Sequence, residues 1–145
     1  MNVTNIMIEL LKEAKKDKLN KYFIKENGEA VYLSEAHYIY KIRRDDFLLD
    51  VNKLIEKGIK RSFPIEKYFT PTDTREAKKT GYTKELEKIG KLVEFECEEN
   101  FIYIDERFLK NYDKNATFKG TNGKSPLYVL ENDEVVGLIL PINIK

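Results

Sequence analysis

The stretch from Ser125 to Lys145, SPLYVLENDEVVGLILPINIK, constrains the fold more than any other part of the chain. Two apolar runs, Leu127 to Leu130 and Val135 to Leu140, are joined across Asn132-Asp133, which is a hairpin pattern. The second run closes on Leu140-Pro141-Ile142. Proline removes a ladder donor, so in sheets it is confined to ends, edges and bulges. The run is therefore expected to be a buried strand with a built-in stop.

The rest of the chain supplies further strands and a few helical stretches. Met7, Leu10, Leu11 and Ala14 recur at i, i+3, i+4 and i+7, predicting a helix over 5–18 with one apolar face. Thr4 or Asn5 is the expected cap, because a short side-chain oxygen accepts from a free helical amide. Tyr22 to Lys25 and Ala30 to Leu33 flank Asn27-Gly28, two residues that tolerate positive φ, and so predict a hairpin. His37 to Ile42 places Tyr38, Tyr40 and Ile42 on one strand face.

The middle reads less clearly. Asp45 to Gly58 has helical spacing, with Asp45-Asp46 at its expected N-terminus and Gly58 as its stop. Ser62 to Gly81, with two prolines and several threonines, reads as an irregular connection, and Thr83 to Ile89 fits either a helix or a strand. Val93, Phe95 and Cys97 then alternate with glutamates, and Phe101 to Ile104 follows the turn Glu99-Asn100. Asp105 is the expected cap of a short helix, 106–113, with Phe108, Leu109 and Tyr112 facing inward. Strands at 116–119, 127–130 and 135–140 complete the chain.

A repeat in element order results, with a helix followed by three strands in each half. The expected fold is a single α+β domain over 1–145. Unit one spans about 1–44, a connection about 45–90 and unit two about 91–145. The sheet is expected to be mainly antiparallel, with the helices on one face. A chain of 145 residues suffices for one such core.

Composition excludes several classes. With 26 basic and 25 acidic residues the net charge is +1, which argues against coating nucleic acid by charge alone and leaves room for a local basic face. No apolar run reaches the roughly 20 residues of a membrane helix. Cys97 is the only cysteine, so a reduced, cytoplasmic setting is expected and no zinc ligand set arises. No cofactor motif is present.

Two segments carry a resemblance to a known family. Tyr103-Ile104-Asp105-Glu106-Arg107-Phe108-Leu109-Lys110 runs from a strand into a short helix through a polar residue and an aromatic-Leu pair. Ser125 to Leu130 and Val136 to Ile142 form an apolar hairpin with an apolar-Pro-apolar ending. Both resemble bacterial DNA polymerase sliding clamps, the beta subunits that form rings around DNA. The resemblance implies a non-catalytic accessory protein that contacts double-stranded DNA or a replication protein and assembles as a homo-oligomer. It implies that Lys12, Lys15 and Lys16 face phosphates, and that Leu140, Pro141 and Ile142 belong to a pocket for partner peptides. Asn143 follows the trio where clamps usually carry a basic residue.

The same residues admit plainer or different roles. A stand-alone domain of this fold also suits a phage or mobile-element protein that binds a host protein and has no affinity for nucleic acid. Glu9 and Glu13 interleave with the lysines, as on any solvated helix face. His37, the only histidine, lacks an aligned nucleophile and reads as structural. Asp45, Asp46 and Asp50 lack calcium-loop spacing and read as helix-start acids. Cys97 reads as a small core residue.

Overall fold

The computed structural model describes residues 1–144. The first helix, α1, spans Val3–Lys15, and Asn2 caps it by accepting from the Asn5 amide at 3.0 Å. Both expected caps, Thr4 and Asn5, lie inside the helix, and the Asn5 side-chain amide donates to Asn111 Oδ1 at 2.6 Å. Ile6 and Leu10 are buried, with Val3, Met7 and Ala14 packed beside them. Leu11, expected on this face, is 54% exposed, and Ile8 is 44% exposed. At 3.6 residues per turn the arc centred on Ile6, Leu10 and Ala14 leaves Leu11 at its rim and Ile8 beyond it.

Nine strands follow: β1 Phe23–Glu26, β2 Ala30–Glu35, β3 Tyr38–Arg43, β4 Arg75–Leu86, β5 Gly90–Cys97, β6 Asn100–Asp105, β7 Thr117–Gly120, β8 Leu127–Glu131 and β9 Glu134–Ile139. They form one sheet in the order β1-β2-β3-β9-β8-β7-β4-β5-β6. Three meanders are thus joined edge to edge, and every ladder is antiparallel. The α+β, single-domain expectation holds.

The second helix, α2, is Val51–Lys57 and lies in the span expected to be connection. Asp50, not Asp45, caps it by accepting from the Lys53 amide, while Asp45 and Asp46 fall in a separate 3-10 turn. Both α-helices pack on one sheet face, where Ile6, Leu10, Val51 and Leu54 meet Val31, Leu33, Tyr40 and Ile42. The opposite face buries Phe23, Tyr32, Ile39 and Leu138 beneath a 3-10 turn at Ile65–Phe69. Covered on both faces, β2 is a continuous apolar run rather than an alternating one.

Two local expectations are corrected. The helix at 106–113 is only a 3-10 turn, Glu106–Leu109. Asn111, Asp113 and Asn115 favour turns because their side chains compete for backbone groups, and Asn111 is drawn into a buried hydrogen-bond network. The second half therefore lacks an α-helix of its own. The Asn27-Gly28 hairpin is not built on positive φ, because Asn27 Oδ1 instead accepts from the Glu29 and Ala30 amides. The left-handed pair is Asn132 and Asp133, at φ 53° and 63°, which gives a twist-matched two-residue hairpin.

The Ser62 to Gly81 stretch holds most of the Ile65–Phe69 turn's surroundings and the first half of β4. That strand exposes nearly every residue, so it carries no hydrophobic alternation to read. Between Lys79 and Thr83 it holds two residues more than β5 does between their partners, Phe95 and Val93. Gly81, at φ 89°, makes this bulge without strain.

Strand β9 ends at Ile139, and the C-terminal trio then acts as a brace. Leu140 N donates to His37 O at 2.9 Å, and Ile142 N donates to Tyr103 O at 2.8 Å. Pro141, between them, has no N–H to leave unpaired. The trio thus ties the β2–β3 turn to the open edge of β6, which limits edge-to-edge pairing there.

Candidate functional site

Three surfaces qualify. The first is the outer face of α1. Lys12, Lys15 and Lys16 are exposed, and among the described residues none lies within ion-pair distance of a carboxylate. The acids of the same helix are engaged elsewhere, Glu9 by Lys110 at 2.5 Å and Glu13 by Lys21 at 3.2 Å. On the wheel, Lys15 lies well away from Glu9 and Glu13, while Lys12 and Lys16 border that acidic edge, three positions after Glu9 and Glu13 respectively. Exposed Lys53 and Lys57 of α2, which packs on the same sheet face, extend the basic character. Ile8 and Leu11 give the lysine face an apolar seam.

The second is an apolar cleft of about 260 Å³ beside the β2–β3 turn, walled by Ala36, Ile39, Phe63, Tyr68, Pro126 and Leu140. Leu140 is 41% exposed and lines it. Pro141 and Ile142 are half-buried and are not part of its wall.

The third is a polar cleft of about 540 Å³ on the other flank of α1, reaching the β2–β3 turn and the 3-10 turn after β6. His37 lies in it and stacks on Phe108, with ring centroids 5.6 Å apart and 19° between planes. Among the described residues no Ser, Thr or Cys lines this cleft with the imidazole, and the Ser34 hydroxyl donates to the Glu35 backbone carbonyl. Burial pushes the Tyr38 phenol far above its ordinary range and Tyr40 up to about 12, the latter against the lowering effect of the Asn111 hydrogen bond. Both stay protonated at neutral pH and serve as neutral hydroxyls. Among the described residues no cluster of His, Cys, Asp and Glu is arranged to hold a metal ion.

Two buried polar groups lie near this cleft: Asn111, which no sequence pattern picked out, and Asp105, which takes the capping role expected of it. Asn111, 1% exposed, accepts from Asn5 and donates to Tyr40 Oη at 3.2 Å, tying α1 to β3. Asp105, 2% exposed, caps the 3-10 turn and receives Arg107 Nε at 3.0 Å and Nη2 at 2.6 Å. The Arg107 hydrogen bond holds the Asp105 carboxyl below the usual range, with burial opposing it. A depressed carboxylate stabilises the fold in full above its unfolded pKa, and that contribution is lost as pH falls through the folded value. The thermal midpoint should therefore fall more steeply below about pH 4 in the native chain than in Asp105→Asn, which lacks the ionised partner at every pH. Parallel acid profiles in a thermal-melt series would contradict this.

No family model matches the chain, and no curated protein matches it. Among solved structures the chain is similar to the DNA polymerase III beta subunit of Thermotoga maritima, at 11% identity and a TM-score of 0.47. The match covers 92% of this chain and 60% of that one, so the chain spans less than two thirds of that protein. That protein belongs to the family the Tyr103–Lys110 and C-terminal segments resemble. At this level the likeness carries no argument about fold or function, which rest on the chain's own residues.

Proposed function

We propose that the protein is a non-catalytic accessory factor that contacts double-stranded DNA through the outer face of α1. The observation that carries this reading is the set Lys12, Lys15 and Lys16, exposed along α1 and its C-cap and, among the described residues, without a carboxylate within ion-pair distance. Diffuse lysine contacts bind phosphate without reading bases, which suits a chain with net charge +1 and no concentrated arginine cluster. In fluorescence anisotropy with a labelled duplex at low salt, the native chain should bind. Changing Lys12, Lys15 and Lys16 together to Glu should weaken binding by at least about a hundredfold, since each lost phosphate contact is multiplied by repulsion. Equal binding by the triple variant would overturn the reading.

A second reading is favoured by the apolar cleft at Leu140: a partner protein, such as a host protein bound by a phage-type factor, docks there without any nucleic acid. Leu140→Glu should then abolish a complex that survives high salt, while duplex binding would be absent from the start. The ring-like homo-oligomer implied by the clamp resemblance is read by light scattering, where a strict monomer removes it.

A further inference from the structure

The polar cleft has an unequal charge balance. Its three basic side chains are already matched: Lys110 to Glu9 at 2.5 Å, Lys21 to Glu13 at 3.2 Å, and Arg107 to Asp105 at 2.6 Å. Glu35, at the end of β2, lines the same cleft and has no basic group within ion-pair distance among the described residues. It lies beside the Tyr38 hydroxyl. Glu13 Oε2 is enclosed and is held by Lys21. The half-buried rings of Tyr38 and Phe108 line the cleft: Tyr38 packs on Tyr40 at 4.8 Å between centroids and on Phe108 at 5.4 Å, and the Arg107 guanidinium already lies over Phe108 at 6.0 Å.

We propose that this cleft binds an organic cation, an alkylammonium or guanidinium group, seated against Tyr38 and Phe108 and paired with Glu35. Aromatic faces attract cations through their quadrupole, and a carboxylate beside them fixes the charge. Glu35, which lines the cleft without a basic partner among the described residues, supplies the acceptor for an N–H-bearing ligand. An anion finds no free cation here and meets Glu35. The volume of about 540 Å³ falls in the range of small-molecule sites and exceeds what one side chain fills. The group comes either from a free polyamine or from a Lys or Arg side chain of a bound protein. This site is independent of the DNA reading, because Lys12, Lys15 and Lys16 are not among the residues that line the cleft.

Calorimetric titration of the full chain with spermidine, and separately with acetyl-Gly-Arg-Gly-amide, tests the proposal, with glutarate as the anionic control. At least one cationic probe should bind with one-to-one stoichiometry, and glutarate should not. Glu35→Gln should weaken the binding about tenfold, and Glu35→Lys, which supplies its own ammonium, should abolish it. Binding of spermidine alone assigns the free amine as source, and binding of the peptide alone assigns a partner's side chain. Failure of both probes, or unchanged affinity in Glu35→Gln, overturns the proposal.

Discussion

Gly137→Ala should destabilise the protein by about 3 kcal/mol, a drop of roughly 10 °C in thermal midpoint for a domain of this size. Gly137 sits in the middle of β9, paired with Tyr40 on β3 and Val129 on β8, and the Tyr112 ring lies directly over it. A Cβ there would fall inside the van der Waals envelope of the Tyr112 hydroxyl and of its ring carbons. Replacing glycine within a strand would by itself gain about 0.5–1 kcal/mol of backbone entropy, so the steric term decides the sign. Among the described residues the Tyr112 hydroxyl has no hydrogen-bond partner, and burial pushes its pKa well up. Tyr112→Phe should therefore stabilise the native chain by about 1 kcal/mol, by removing a polar atom that loses its water on folding. It should also recover part of the loss in a Gly137→Ala background, because the hydroxyl is the closest clashing atom. Denaturant midpoints of the two single variants and the double variant check all three outcomes. Additive effects would contradict the direct contact.

Asn111→Ala should cost about 2–4 kcal/mol, from two lost hydrogen bonds and the stranded groups they leave. The Asn5 amide and the Tyr40 hydroxyl both lose their partner, and Tyr40 is 4% exposed, so water cannot readily replace it. The effect should be directional. Because Asn111 ties α1 to β3, amide exchange should quicken in α1 before it does in the β7–β8–β9 meander. Uniform exchange changes across both regions would contradict this role.

Much of the sheet was legible because its strands carry their own signals. The Asn132-Asp133 turn, the alternation of Val93, Phe95 and Cys97, and the aromatic alternation of β3 all predict the observed elements. The misreadings share a cause: they depend on partners distant in sequence. Leu11 fits the apolar face by spacing alone, and only the packing of Ile6, Leu10 and Ala14 shows that the core ends before it. The 106–113 stretch has helical spacing, yet Asn111 is committed to Asn5 and Tyr40, more than 70 positions away in the chain. Strand β4 lacks alternation because solvent covers most of it. Of the candidate sites, the α1 lysines were readable as a helix face, and Leu140 as part of an apolar ending. The polar cleft was not. Its residues come from α1, the turn after it, β2, β3 and the segment after β6, and no local pattern joins Glu35 to Phe108.

The salt dependence of duplex binding tests the central claim most directly. If Lys12, Lys15 and Lys16 contact phosphates, the logarithm of the binding constant should fall with the logarithm of salt concentration at a slope of about −3 or steeper. Changing any one of the three to Gln should then reduce the slope by about 0.9. A slope near zero, or one that stays the same in all three single variants, would contradict the account.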